Sequence, residues 1–126
     1  MLNIEDCLRQ AMAIQGALGA SLIDYPSGST IGALGRGPNG VDESTAVGPA
    51  DLVHATVDTA AFATVGQPGH VEDIVITAGN GYHVVHLLQS GIGRRLVLYL
   101  WLDRLHGNLA ITQMSLRNIS EQLVSN

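Results

Sequence analysis

Leu96-Val97-Leu98-Tyr99-Leu100-Trp101-Leu102 is an unbroken apolar run. It is far shorter than the roughly 20 residues a membrane helix needs, and its length suits a strand. Alternation sends Leu96, Leu98, Leu100 and Leu102 to one side of a sheet, and Val97, Tyr99 and Trp101 to the other. Both sides are apolar, so the strand is central and covered on both faces. Whatever sheet contains it must carry helices above and below.

Upstream of this run, Tyr82 to Leu88 and Val71 to Ala78 have strand character. They are joined at Asn80-Gly81, a short-range signal for a two-residue hairpin turn. Ser90-Gly91-Ile92-Gly93 forms the next turn, leading into the apolar run. Earlier still, Leu18 to Tyr25 and Ser29 to Leu34 flank the turn signal Pro26-Ser27-Gly28. Short hairpin turns force antiparallel pairing, so the sheet is largely antiparallel.

Three helical patterns punctuate the strands. The first runs from about Asn3 to Gln15, with Asn3 as N-cap and Glu5 and Asp6 at the positive end of the dipole. Ile4, Cys7, Leu8, Ala11 and Met12 share its apolar face. The second helix spans Pro49 to Val65, with Pro49 suited to the first turn. Val53, Val57, Ala60 and Thr64 line one face, while Asp51, Ala55, Asp58 and Phe62 line the opposite side. The protein's sole Phe thus falls on a charged stripe. A closing helix from about Asn108 to Val124 aligns Leu109, Thr112, Leu116, Ile119 and Leu123. The order helix, two strands, helix, three strands, helix predicts a three-layer α/β/α sandwich.

The chain has 126 residues, a length that fits one domain over 1–126. With 46% hydrophobic and only 13% charged residues, it is not a disordered chain. So little charge implies that some surface is buried against a partner. The formal net charge is -5, Lys is absent, and among the six Arg only Arg94 and Arg95 are adjacent. Nucleic-acid and anionic-lipid binding both need a basic patch that this composition does not supply. Cys7 is the only cysteine, which excludes an intrachain disulfide and a multi-cysteine zinc site. Acid at the N-terminus, where a signal peptide carries positive charge, points to the cytoplasm.

Motifs for chemistry are weak. Gly35-Arg36-Gly37-Pro38-Asn39-Gly40 matches G-x-G-x-x-G, but Pro38 removes an amide and polar loop to Gly48 follows instead of a helix. His83 and His86 lie on a strand at a spacing that points them to opposite faces, so they cannot share a metal. His54, His70 and His106 have no Cys at ligand spacing, and Cys7 reads as a small buried hydrophobe. Glu72 and Asp73 are adjacent, face opposite ways and read as charges near a sheet edge. No nucleophile elbow and no phosphate loop with its Lys are present. The expectation is therefore no catalytic residue, no cofactor and no metal.

Three fragments, in order, resemble the roadblock/LC7 family. They are Gly16-Ala17-Leu18-Gly19-Ala20-Ser21-Leu22-Ile23-Asp24, then Asp73 to Thr77 with Tyr82 to Val85, then Leu98 to Arg104 with Asn108-Leu109-Ala110. The resemblance implies a profilin-like sandwich with strand order 2-1-5-4-3, one helix on one face and the terminal helices on the other. It also implies a homodimer formed through the second helix and third strand, and partnership with a Ras-like small GTPase or a signalling complex. On that footing the expected interface takes Asp51, Val53, His54, Ala55, Val57, Asp58, Ala61 and Phe62 from the second helix. The strand region contributes Val71, Asp73 and Val75. A second helix apolar over most of its circumference fits a helix with a sheet on one side and a subunit on another. The expected function is a non-catalytic homodimeric adaptor or regulator. The alternative is a small-molecule sensor like a PAS or GAF domain.

Overall fold

The computed structural model describes residues 3–24, 26–37, 48–57, 71–89 and 95–124. Helix α1 (Ile4–Met12) begins where Asn3 accepts the Asp6 amide at 2.8 Å. It stops earlier than its apolar pattern suggests. Turn hydrogen bonds from the Ile14 amide to Ala11 and from the Ala17 amide to Ile14 reverse the chain instead. Gly16 completes the reversal at φ +88°, a left-handed conformation that favours glycine. A Cβ at this position would lie 2.7 Å from the backbone of Gly107, so the two glycines meet where β1 starts.

Strands β1 (Ala17–Asp24) and β2 (Ser29–Gly35) form the first hairpin, and helix α2 (Gly48–Val57) follows. Strands β3 (Asp73–Ala78), β4 (Gly81–Gln89) and β5 (Arg95–Leu102) precede helix α3 (Leu109–Val124). Asn108 caps α3 by accepting the Ile111 amide at 3.0 Å. The five strands form one sheet in the order β2-β1-β5-β4-β3, with every neighbour antiparallel. That is the order the family resemblance implies. The β3–β4 turn is a correction. Gly79 and Asn80 form it, and Gly81 already pairs with Ala78.

Strand β5 is central and covered on both faces, as its sequence requires. Leu96, Leu98, Leu100 and Leu102 join Cys7, Leu8 and Ala11 of α1 and Leu116 and Ile119 of α3 in the larger core. Val97, Tyr99 and Trp101 join Ile23, Val85 and Val53 of α2 in the smaller one. Two helices thus cover one face and one helix the other. Each fully buried leucine of β5 contributes about 1.5–3 kcal/mol. The Cys7 thiol is buried within the larger core, and burial pushes its pKa up to about 11, so it stays protonated. No helix among the described residues is long and apolar enough to cross a membrane.

Candidate functional site

Among the described residues, helix α2 is seated on the sheet through Val53 and Leu52. Val53 is fully buried against the smaller core and Leu52 packs beside it, whereas Asp51 and Ala55 are exposed one turn apart. His54 and Thr56 are half-buried, and the Thr56 hydroxyl donates back to the Leu52 carbonyl at 2.8 Å. Val57 closes the described part of the helix. Asp58, Ala61 and Phe62 of the expected interface lie outside the described residues, as does His70.

The edge strand β3 divides the rest of the expected interface. Val71 is half-buried just before the strand. Val75 packs against the larger core, and Asp73 points the same way, toward α3. Neither shares the face that carries Val53. The β3 side chains on the α2 face are Ile74, which packs on the smaller core, and Ile76, which is 41% exposed. Strict alternation along β3 was the signal that could have found them.

Beside Ile76 in the ladder is His83, whose Nδ1 lies 2.8 Å from the Tyr99 hydroxyl with the two rings stacked. Burial lowers the His83 pKa below its ordinary value, which suits a neutral ring accepting the tyrosine proton. Two buried polar atoms on this same face, Ser21 Oγ and Trp101 Nε1, have no hydrogen-bond partner among the described residues. Arg36 lies over the Trp101 ring at 6.0 Å. Gly35 ends β2, and the G-x-G-x-x-G stretch leaves the described residues after Gly37.

On the opposite face an arrangement appears that the sequence reading missed. His86 Nδ1 lies 2.5 Å from Asp73 Oδ1, and its Nε2 lies 2.9 Å from Ser120 Oγ. Carboxylate, imidazole and hydroxyl stand in the order of a nucleophilic relay. The setting is wrong for that chemistry. His86 and Ser120 are each only 6% exposed, and Ser120 Oγ donates to the Arg117 carbonyl at 2.8 Å. Ser120 sits inside α3, where backbone amides are spent on helical bonds and none is left for an oxyanion. The group is a polar tie between β3, β4 and α3. His83 and His86 do face opposite sides of the sheet.

At the far end of β5, Asp103 accepts the Leu105 amide at 3.1 Å and pairs with His106. The hydrogen bond from His106, then that from the Leu105 amide, hold the Asp103 carboxyl below its ordinary range. No group of three His, Cys, Asp or Glu side chains able to hold a metal occurs among the described residues. An open groove of about 360 Å³ lies between α1 and α3, lined by Gln10, Ile14, Ser115, Asn118 and Gln122 among others. It separates two helices and does not enter the sheet.

Solved structures share this architecture from end to end. A roadblock/LC7 domain from Streptomyces avermitilis superposes with a TM-score of 0.67 at 16% identity, over 91% of this chain and 88% of that one. This chain has the roadblock/LC7 fold. Myxococcus xanthus MglB matches with a TM-score of 0.70 at 18% identity, over 94% of this chain and 80% of that one. An MglB described with a tetrameric arrangement matches at 0.74 and 19% identity, over 96% and 85%. No protein-family model and no curated protein matches the sequence. At such identities the fold is what these structures share with this chain.

Proposed function

We propose that this chain is a non-catalytic homodimeric regulator that binds a Ras-like small GTPase. The observation that carries this reading is that exposed residues of α2 and of the edge strand β3 lie on one face of the sheet, on a fold shared with MglB and a roadblock/LC7 domain. Asp51 and Ala55 turn outward from a helix whose other side is buried, and Ile76 is exposed on the same face of β3. A second copy would continue the sheet from β3 and lay its own α2 alongside. The interface then uses Asp51, His54, Ala55 and Ile76, with Val53 as the buried anchor of the helix. Asp73 and Val75 support the strand from behind. Chain 1–126 acts as one unit, and the GTPase meets the paired surface.

The test is turnover and exchange by a purified Ras-like GTPase from the same organism, with and without the chain. The expected result is a changed rate of phosphate release or nucleotide exchange that saturates with added chain. Unchanged rates at concentrations where the chain is assembled would contradict the reading.

A further inference from the structure

The described contacts of β3 raise a specific question of what holds its position. It is a six-residue edge strand, paired only to β4 among the described strands, with Ile76 and Thr77 exposed. Edge strands with little burial open locally at low free-energy cost. This one is tied at both ends by the segment that runs through α3. At its C-terminal end Arg104 donates to the Ala78 carbonyl at 3.2 Å and lies over the Tyr82 ring at 5.6 Å. At its N-terminal end the contacts close a ring. Asp73 meets His86, His86 meets Ser120, and Ser120 bonds the Arg117 carbonyl. The Arg117 guanidinium reaches back to Glu72, the residue before Asp73, at 3.5 Å.

The members of the ring differ in weight. Glu72 and Arg117 are both more than half exposed, so their pair contributes about 0–1 kcal/mol. Asp73 and His86 are 16% and 7% exposed, and a hydrogen bond to a charged group in that setting is the strong member. The Ser120 hydroxyl donates to the Arg117 carbonyl, and its oxygen also lies 2.9 Å from His86 Nε2. The imidazole thus bridges an edge strand and a helix, beside the more exposed contact between Arg117 and Glu72.

We propose that Asp73, His86 and Ser120 form a latch that fixes the β3 edge to α3, and that Asp73 and His86 are positioning residues for the copy-to-copy edge. This rests on the dimer reading above, but the latch itself is a property of one chain. The edge is held in pairing geometry from the helix side. A contact that shifts α3 therefore changes how firmly the edge is presented.

The experiment is amide hydrogen exchange on the full chain, read at Ile74 to Thr77 and compared with β1 and β5. In Asp73→Ala the β3 amides are expected to exchange about tenfold faster while β1 and β5 amides keep their rates. Asp73→Asn retains an oxygen facing Nδ1 and restores most of the protection. Ser120→Ala, which favours the helix and folds readily, gives a smaller increase confined to the same amides. Where the chain is dimeric, the dissociation constant rises in the same order of variants. Unchanged β3 exchange in Asp73→Ala overturns the latch, and so does a rise shared equally with β5. A monomeric wild type would remove the dimer reading, while the exchange comparison would still decide the latch.

Discussion

The two faces of this sheet are built by different rules. On the face of α1 and α3, leucines of β5 interlock with two helices, and the buried polar groups His86 and Ser120 are partnered. On the face of α2 the described core is smaller, Ser21 and Trp101 bury polar atoms with no partner among the described residues, and Ile76 is exposed. One strand, β5, serves both faces with opposite sets of side chains. The difference teaches that, among the described residues, the two-helix face carries the larger apolar cluster while the α2 face carries an exposed isoleucine at its β3 edge.

Substitutions in β5 and α2 break this comparison most sharply. Leu100→Ala removes a fully buried side chain from the larger core and is expected to lower unfolding free energy by about 2–5 kcal/mol in urea melts. Val53→Ala, equally buried but in the smaller core, is expected to cost only about 1.5 kcal/mol, from two fewer carbons. Equal losses would mean that the faces are not unequal.

The polar groups sharpen it next. His86→Leu removes the imidazole partner of Asp73 and should destabilise by about 1–3 kcal/mol. His83, on the α2 face, acts through pH. Its lowered native pKa means that the unfolded chain takes up a proton first as pH falls below about 6.5. Stability from this group is therefore complete above pH 6.5 and declines as pH drops toward the lower native value. Melting of His83→Gln, which can still bond Tyr99, should show a shallower loss between pH 7 and 5.

Ser21→Ala is the smallest expected effect. It deletes a buried hydroxyl with no partner among the described residues and should leave stability unchanged or raise it by about 1 kcal/mol. A clear loss in thermal melts would show that the hydroxyl is satisfied after all.

Much of the fold was legible because its signals are local. Apolar runs with period two and the capping residues Asn3 and Asn108 lie within a few positions of what they specify. The sequence missed what depends on register. Placing the turn at Asn80-Gly81 pairs Gly79 with Tyr82 and hence Asp73 with Leu88. The observed turn at Gly79-Asn80 moves that partner by two residues and sets Asp73 opposite His86. Ser120 then arrives from 34 positions away, a contact no local pattern encodes. The same strand shows where two residues of the expected interface point, since Asp73 and Val75 share a parity that faces α3. On α2, the exposed Asp51 and Ala55 and the buried Val53 follow the helical period that the sequence shows.

The central claim is that the α2 face and the β3 edge receive a second copy of this chain. Light scattering on the wild type and on Ile76→Arg, across the micromolar range, tests it directly. The account predicts twice the chain mass for the wild type, and a single chain mass with an unchanged thermal melt for the variant. A wild type that stays at one chain mass, or a variant that still pairs, would contradict it.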